Sequence, residues 1–274
     1  MSKSINPEKV ADIIKDVAAT IIMPRFQNLS DDEIKSKTGP TDLVTIADLE
    51  SEEALTKHFK DILPGSYVVG EEAVSKNEIS TSILATESDP VWVIDPVDGT
   101  NNFATGNPTF GVIVTLVQGG QTVQGWIYDV PGDRTAITER GSGVEINGAR
   151  KTYPANDKPL KESKGFISRK FLPKQMRDEL KETLENEFGC IETYMCCAHE
   201  YMDILEGKAN YSMYSRIKPW DHLTGGMMME EAGGFVRKWD RSSYGAGDEK
   251  GGLITAANQE TWEEIYNHTL AKYI

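Results

Sequence analysis

Residues Trp92–Phe103 read Trp-Val-Ile-Asp-Pro-Val-Asp-Gly-Thr-Asn-Asn-Phe, and this stretch decides how the rest of the chain is interpreted. Its apolar first half is typical of a buried strand, which we expect Pro96 to stop. Asp95 and Asp98 then place two carboxylates at the end of a sheet, where their oxygens suit a hard divalent cation. Gly99 lets the backbone approach a ligand closely, and the N–H groups of a following helix would face a phosphate. The same residue types also make ordinary acidic turns, so the motif alone does not decide between the two interpretations.

Three further segments place acidic residues beside predicted elements. Glu71 follows a short strand-like run, Asp221 lies at the start of a helical pattern, and Asp42 and Asp48 are six residues apart. Together with residues 92–103, these segments resemble the inositol monophosphatase family of metal-dependent sugar phosphatases.

Two signatures carry the resemblance. The first, Trp-x-Ile-Asp-Pro-x-Asp-Gly-Thr-x-Asn-Phe, matches residues 92–103 at every fixed position. The second, Trp-Asp…Glu-Ala-Gly-Gly, matches residues 220–234 at its two ends. Since the order and spacing of all the segments also fit, the resemblance covers nearly the whole chain.

Hydrophobic periodicity and turn residues predict the secondary structure. Helices are expected at about 7–25, 45–62, 173–188, 199–206, 221–231 and 260–270. Strands are expected at about 67–69, 91–94, 112–117, 123–128, 135–138, 166–168, 190–194, 211–214, 235–239 and 253–256. Residues 30–41 are expected to form a polar loop, and turns are expected at Gly119-Gly120 and Asn147-Gly148.

The fold class predicted from this pattern is α/β, with an α+β N-terminal half. The resemblance implies a layered αβαβα architecture of two closely packed subdomains. Residues 1–157 would form the N-terminal α+β subdomain with most of the metal ligands, and residues 158–274, where strands and helices alternate, the C-terminal α/β subdomain. The site would lie between them, where acids from both halves converge.

Composition limits the possible partners. The 274 residues include 29 Lys plus Arg and 43 Asp plus Glu, a net charge of −14. Such a surface repels nucleic acids and anionic membranes, so we expect neither as a partner. The three cysteines have no spacing typical of a disulfide framework or a metal site, and no segment has the length of a membrane span. We expect a cytoplasmic protein without an apolar signal segment, and the resemblance implies a homodimer.

The resemblance also implies the metal ligands. One ion would be bound by Glu71, Asp95 and the carbonyl of Val97, and a second by Asp95, Asp98 and Asp221. Because all of these ligands are oxygens, the set suits Mg²⁺, with Mn²⁺ as a possible substitute, and argues against Zn²⁺. A family-type Mg²⁺ site would also make the activity sensitive to lithium.

We expect water to be the nucleophile, because no serine or cysteine has a base and an orienting partner at recognisable spacing. By the resemblance, Asp48 and the Thr100 hydroxyl would orient and deprotonate this water, with Glu71 completing the catalytic set. The backbone N–H groups of Gly99 and Thr100 would hold phosphate oxygens. Two residues would support a third, weaker ion: Lys37 and Asp42. For Lys37, a solvated loop lysine is an equally open interpretation.

The substrate side departs from the family pattern. Residues 195–198 read Met-Cys-Cys-Ala, where inositol-selective members have Gly-Ser-x-Ala, and Tyr214 replaces a glutamate that binds sugar hydroxyls. Arg216 either pairs with surface carboxylates or attracts a second anionic group of the substrate. His199-Glu200 is either a helix-capping pair or a substrate contact. The candidate substrate-side residues are therefore Tyr214, Arg216, Cys197 and His199.

The predicted function is a Mg²⁺-dependent phosphomonoesterase that hydrolyses a small sugar or polyol phosphate by metal-activated water. Fructose-1,6-bisphosphatase and 3'(2'),5'-bisphosphate nucleotidase activities are alternatives on the same fold. A non-catalytic dimeric regulatory or binding protein is the alternative from another class. A haloacid dehalogenase type is disfavoured, because its Asp-x-Asp motif differs in spacing and lies at the first strand.

Overall fold

The computed structural model describes residues 5–39, 42–155 and 158–274. Its helices are α1 (Pro7–Val17), α2 (Ile46–Ile62), α3 (Glu71–Ser75), α4 (Ile83–Thr86), α5 (Thr100–Ala104), α6 (Lys174–Glu187), α7 (Cys197–Leu205), α8 (Pro219–Glu231) and α9 (Gln259–Thr269). Its strands are β1 (Ile34–Gly39), β2 (Asp42–Thr45), β3 (Tyr67–Gly70), β4 (Val91–Asp98), β5 (Gly111–Gln118), β6 (Gln121–Asp129), β7 (Arg134–Glu139), β8 (Gly143–Ile146), β9 (Ala149–Lys151), β10 (Lys164–Ile167), β11 (Cys190–Glu192), β12 (Tyr211–Tyr214), β13 (Phe235–Lys238) and β14 (Leu253–Ala256).

The larger sheet has the strand order β3-β4-β5-β6-β7-β8-β9. Only the β3–β4 pair is parallel, and the remaining strands form an antiparallel meander. Along β4 every residue is buried, because α1 and α2 cover one face and α8, with α4, covers the other. Trp92 illustrates the first contact, since its ring stacks on Phe59 of α2 with 4.4 Å between centroids. A strand that is buried on both faces is apolar throughout, as the sequence of β4 is before Asp95.

The smaller sheet has the order β11-β10-β12-β14-β13. Its inner face contributes Phe166 and Tyr214 to the apolar cluster around α7 and α8. Its outer face contributes Ile167 and Met213 to a second cluster with α6 and α9. The layers therefore run helices, sheet, helices, sheet, helices, which is the αβαβα arrangement expected from the sequence.

Helix α8 lies in the middle layer and carries Asp221 in its first turn. Its Thr224 hydroxyl donates to the Val114 carbonyl at 2.7 Å, deep in the larger sheet. A Cβ at Gly225 would lie 2.0 Å from the ring of Tyr201, so this helix face needs glycine to pack against α7. Close packing on both sides fixes the position of Asp221.

The predicted elements are present, with differences in detail. The first helix, expected to run to about residue 25, is an α-helix only over Pro7–Val17 and continues as a π-helix, Ala18–Ile22, and a 3-10 turn, Met23–Arg25. The segment expected as a polar loop forms β1 from Ile34 and pairs with β2, while residues 40 and 41 lie outside the described residues. Residues on both sides of the expected Asn147-Gly148 turn form the hairpin β8–β9. Pro96 was expected to stop β4, but the strand continues through it to Asp98. The register of β4 against β5 is irregular between Asp95 and Asp98, and such a bulge tolerates a residue without an N–H.

The predicted division after residue 157 falls on residues that the structure does not describe. The cluster around α7 and α8 includes Ile113 from the first half and Leu253 from the second. The division into two subdomains stays a prediction. None of the helices within the described ranges has the length and apolar character needed to cross a membrane.

Candidate active site

A cavity of about 590 Å³ opens where the carboxyl end of β4 meets the first turn of α8. Because β3 and β4 are parallel, Glu71 follows the end of β3 at the same edge of the sheet as Asp95. Four carboxylates line this side of the cavity, and we call them the acid wall: Glu71, Asp95, Asp98 and Asp221. The structure thus brings together all four side chains that the sequence assigns to metal binding.

Three members of the acid wall converge closely. One oxygen from each of Glu71, Asp95 and Asp221 lies within 4.8 Å of the other two. Asp95 is only 3% exposed, and burial, followed by the charges of Glu71 and Asp98, raises its pKa well above the usual value. The same causes raise the pKa of Asp221. A convergence of like charges, offset in part by the Lys37 ammonium and the Val97 N–H, fits a hard divalent cation.

Asp98 connects the acid wall to helix α7. Its Oδ2 accepts the N–H of Ala198 at 2.6 Å and the thiol of Cys196 at 3.2 Å. Burial raises the pKa of Asp98 to about 6, although these two donors act in the opposite direction. The start of α7 is therefore positioned by the same carboxylate that is expected to bind metal.

Asp48 and Thr100 form a pair beside the acid wall. The Thr100 hydroxyl lies 3.0 Å from Asp48 Oδ1 and 3.0 Å from the Val97 carbonyl. Asp48 Oδ2 accepts the N–H of Thr45 at 2.8 Å and its hydroxyl at 2.5 Å, because the two residues form the capping box of α2. Burial raises the pKa of Asp48 to about 6, against the effect of the Thr45 donors. Thr100 lines the cavity, whereas Asp48 lies behind it.

Gly99 has φ +90°, and a Cβ at this position would lie 2.8 Å from the Thr109 carbonyl oxygen. The turn after Asp98 therefore needs glycine for two reasons, the left-handed backbone and the close approach. Gly99 and Thr100 both line the cavity next to the acid wall. Asn102, in the same motif, donates to the carbonyls of Thr109 and Tyr194, each at 2.8 Å.

Lys37 on β1 contacts the acid wall directly. Its Nζ lies 2.8 Å from Glu71 Oε1 and 2.5 Å from Glu72 Oε1. Burial alone would lower the pKa of Lys37, but the two glutamates outweigh burial and raise it. Lys37 is thus not the solvated loop lysine that the sequence left open. The side chain of Asp42, its predicted companion, is outside the described part of the structure.

A buried glutamate that the sequence did not single out supports Glu71. Glu52 of α2 accepts the N–H groups of Glu72 and Ala73, each at 2.8 Å, at the start of α3. Burial raises the pKa of Glu52 to about 7. Only its place on the polar side of a predicted helix was visible from the sequence, which gives no signal of this role.

On the substrate side, Tyr214, Arg216 and Cys197 line the cavity. Burial, with the charges of Asp98 and Asp221, raises the pKa of the Cys197 thiol well above its usual value, so this group stays protonated. A protonated thiol is a poor nucleophile. This agrees with the expectation that water attacks the substrate.

His199 does not line the cavity. Its Nε2 lies 3.0 Å from Asp129 Oδ1 and 3.2 Å from the Phe110 carbonyl, on the far side of α7. Glu200 lines the cavity instead, because consecutive helical residues point roughly 100° apart. Its Oε1 accepts the Thr193 hydroxyl at 3.0 Å and the Tyr194 N–H at 2.8 Å, and burial raises its pKa to about 7.

A second side of the cavity was largely missed from the sequence, and we call it the outer wall: Ser168–Phe171, Met195 and Arg216. The guanidinium carbon of Arg216 lies 3.7 Å from the centroid of the Phe171 ring. Arg216 makes no ion pair with any described residue, so its pairing with surface carboxylates is not observed. The basic and aromatic run Arg169-Lys170-Phe171, directly after a predicted strand in an acidic chain, was the available signal.

Comparisons with known proteins agree with this geometry. Residues 7–274 match the family model described as the inositol monophosphatase family. An inositol-1-monophosphatase of Bacillus subtilis is 26% identical over 223 residues, covering 81% of this chain and 80% of the relative. A fructose-1,6-bisphosphatase/inositol-1-monophosphatase of Thermotoga maritima is 27% identical over 205 residues, covering 75% of each chain. A solved IMPase structure from Thermotoga maritima has a TM-score of 0.81 at 23% identity, covering 96% of this chain and 95% of its own, and supports the fold.

Proposed function

The chain belongs to the inositol monophosphatase family, and on this premise we propose that it cleaves a small sugar or polyol phosphate with Mg²⁺ and an activated water. It is a phosphoric monoester hydrolase, as its relatives are. The observation that carries the proposal is the convergence of Glu71, Asp95 and Asp221 beside the Asp48–Thr100 pair.

The acid wall fits the metal by its chemistry. Its donors are all carboxylate oxygens, their charges repel one another, and they line a cavity that admits a phosphate. Glu71, Asp95 and the Val97 carbonyl would hold one Mg²⁺, and Asp95, Asp98 and Asp221 a second, with Mn²⁺ as a possible substitute. Bound Mg²⁺ would lower the pKa of a water and offset the charge of the phosphate.

Asp48 is the proposed base, acting through Thr100. The Thr100 hydroxyl contacts Asp48 Oδ1, so it can accept a hydrogen bond from the attacking water while donating to the carboxylate. In the metal-free protein, a pKa of about 6 leaves Asp48 largely ionised at neutral pH but still basic enough to take up a proton. Thr45 holds the other oxygen of this carboxylate, so its orientation is fixed before substrate binds.

The phosphate is proposed to lie against the backbone N–H groups of Gly99 and Thr100, which line the cavity next to Asp98. Lys37 supplies one positive charge beside Glu71 without any metal. Support of a third ion by Lys37 and Asp42 remains a prediction. So do the homodimer and the cytoplasmic location.

A second candidate substrate class is a sugar bisphosphate. The observation that favours it is Arg216, whose guanidinium lines the cavity and makes no ion pair among the described residues. An unpaired guanidinium in a chain with a net charge of −14 suits a second phosphate or a carboxylate of the substrate. The regulatory alternative is disfavoured, because no predicted metal ligand is missing from the site.

The test is a panel of sugar, polyol and nucleotide mono- and bisphosphates, assayed for phosphate release with Mg²⁺. We expect turnover of several small esters and no strong preference for inositol monophosphate, because Tyr214 replaces the acceptor for its hydroxyls. Absence of phosphate release from every ester, in a folded and metal-loaded protein, would exclude the proposed activity.

A further inference from the structure

A second group of possible metal ligands lies in the cavity, and its chemistry differs from that of the acid wall. Ligand atoms of Cys197, Asp221 and His222 lie within 4.8 Å of one another, and all three residues line the cavity. We call them the mixed-donor group, because they offer a sulfur, a carboxylate oxygen and an imidazole nitrogen. Of the three, only Asp221 belongs to the acid wall, and the proposed reaction assigns no step to the thiol or the imidazole.

The imidazole of His222 is oriented as a metal ligand requires. Its Nε2–H donates to the Arg216 carbonyl at 3.1 Å, so the lone pair of the ring is on Nδ1. Metal-binding histidines commonly donate their other N–H to a carbonyl in this way, which fixes both the ring and the tautomer. In the metal-free protein the Tyr201 hydroxyl donates to Nδ1 at 3.0 Å, so an ion bound there would replace one hydrogen bond.

Helix α7 brings the thiol to the same nitrogen. Cys197 and Tyr201 are four residues apart on α7, so their side chains lie on the same face of the helix. Because the Tyr201 hydroxyl contacts Nδ1 of His222, this face also directs the Cys197 sulfur toward that nitrogen. The Cys197 thiol makes no hydrogen bond with another described residue, whereas the Cys196 thiol donates to Asp98.

The mixed-donor group selects a different ion from the acid wall. Thiolate and imidazole are ligands of Zn²⁺, whereas Mg²⁺ favours oxygen alone. With bond lengths of about 2.0–2.3 Å, the ligands of a tetrahedral zinc ion are about 3.3–3.6 Å apart, so side-chain movements on the order of 1 Å would close the group on an ion. The ligands come from α7 and α8, and for this reason no local spacing in the sequence indicated them.

We propose that Cys197, Asp221 and His222 bind Zn²⁺, and that zinc bound there inhibits the enzyme by withdrawing Asp221 from the acid wall. The inhibition rests on the proposed function, whereas the binding of zinc does not. The thiol releases its proton to solvent as the sulfur binds the ion, and the Tyr201 hydroxyl leaves Nδ1. The two sites share one carboxylate, so zinc and the second Mg²⁺ exclude each other.

The test uses Cd²⁺ as a spectroscopic substitute for Zn²⁺, because a thiolate bound to Cd²⁺ gives a charge-transfer absorption in the ultraviolet and a carboxylate does not. Cd²⁺ added to the metal-stripped protein should produce this absorption, and Zn²⁺ should remove it by competition. Cys197→Ala and Cys197→Ser should each abolish it, since neither variant has a thiolate at this position. Absence of the absorption from the wild type, or its survival in either folded variant, would overturn the inference.

The matched control is Cys190→Ala, because Cys190 is an exposed cysteine outside the cavity. This variant should keep the absorption, and its loss here would place the ion at a surface thiol and overturn the inference.

Tyr201→Phe tests the imidazole. The phenylalanine ring no longer occupies Nδ1 with a hydroxyl, so calorimetry should show Zn²⁺ bound about fivefold more tightly. Unchanged or weaker binding by the folded variant would contradict the assignment of His222 as a ligand.

The two proposals fail separately. Zn²⁺ added with Mg²⁺ should inhibit phosphate release, and Cys197→Ala should need about 100-fold more zinc than wild type to halve its own zinc-free rate. Equal sensitivity of the two proteins to zinc would overturn the inference and leave the proposed function intact. If no ester is hydrolysed by any of the proteins, the proposed function is wrong, and the Cd²⁺ absorption decides whether the zinc site exists.

Discussion

The acid wall and the outer wall face the same cavity but are built by different rules. Asp95 and Asp98 of the acid wall lie on β4, an interior strand of the larger sheet, and are 3% and 7% exposed. Asp98 and the nearby Asp48 are each held by two or more hydrogen bonds. Phe171 and Met195 of the outer wall lie outside the helices and strands and are nearly half exposed.

Under the proposed function, this difference separates the residues that act in the reaction from those that recognise the substrate. The position of a buried carboxylate with several donors is set by the fold, so chemistry that depends on it changes little when surface residues change. An exposed ring outside the regular elements can be replaced with little effect on the core. On the proposed function, the acid wall would define the class of reaction and the outer wall would define the alcohol that leaves.

Metal removal should have the largest effect. Chelation should abolish phosphate release, and Mg²⁺ or Mn²⁺ should restore it, because the like charges of the acid wall need a cation to hold the substrate. Ca²⁺ should bind but support slow turnover, since its longer bonds misplace the water, and the family resemblance implies inhibition by lithium. Full activity of a metal-stripped protein would contradict the assignment of the acid wall as a metal site.

Asp95→Asn should lower kcat by about 10³-fold or more, because this carboxylate would bridge both ions. The amide oxygen can still accept the Val97 N–H, so the turn should persist. Thermal unfolding without metal should occur at an equal or higher temperature, since one of several repelling charges is gone. The matched control is Asp89→Asn, an exposed acid before the same strand. Wild-type turnover by a folded Asp95→Asn protein would contradict the assignment.

Thr100→Val removes one hydroxyl at nearly constant volume. We expect kcat to fall about 100-fold, because the link between water and Asp48 is lost, while KM changes little. Thr100→Ser keeps the hydroxyl and should retain most of the activity. Equal rates for the valine and serine variants would mean that this pair has no role in proton transfer.

Arg216→Ala tests the outer wall. We expect kcat/KM to fall about tenfold for substrates with a second phosphate or a carboxylate, and by less than about twofold for glycerol 2-phosphate. Arg177→Ala, at an exposed position of α6, is the control for the change in net charge. An unchanged profile for every dianionic substrate would reject the charge role and leave only stacking on Phe171.

The smallest effect concerns the stability of the metal-free protein. Burial raises the pKa of Asp48 and Asp98 to about 6 and that of Glu72 to about 7. Between about pH 4 and 7 the folded protein therefore holds protons that the unfolded chain has released, so the free energy of unfolding falls as pH rises. His222, whose pKa burial lowers to about 3, acts in the opposite direction but is a single group.

Lowering the pH from about 7.5 to about 5.5 should thus raise the melting temperature of the metal-free protein by roughly 5 °C. Saturating Mg²⁺ should reduce this gain, since the cation then replaces the protons. Thermal unfolding followed by circular dichroism measures both. A lower melting temperature at the acidic pH would show that these carboxyls are not buried together.

The sequence was sufficient for the acid wall. Glu71 and Asp95 follow apolar strand-like runs and Asp221 begins a helical pattern, and the match of these motifs to a known family decided between a metal site and an ordinary acidic turn. The position of Pro96 inside β4 could not be predicted, because a bulge depends on the register of the neighbouring strand. The contact of Lys37 with Glu71 was not predictable either, since β1 is polar and has no apolar alternation.

Apart from Arg216, which the sequence named as a candidate, the outer wall was not predicted, and for another reason. Phe171, Met195 and Arg216 come from three separate segments, and only the fold brings them together. For the pair His199-Glu200, the sequence could not say which residue faces the cavity. That depends on how α7 is oriented about its axis, since neighbouring helical residues point roughly 100° apart. The structure places Glu200 there and directs His199 to Asp129.

The ion pairs of Lys37 have a consequence for how the protein matures. The ammonium already supplies part of the positive charge that the acid wall requires, and the raised pKa of Asp95 lets a proton supply more. Small zinc modules, by contrast, remain unfolded until their ion arrives. We therefore expect the cavity to form without divalent cations. If the acid wall binds Mg²⁺ as proposed, loading would follow folding, and the metal-free protein would become active when the cation is added.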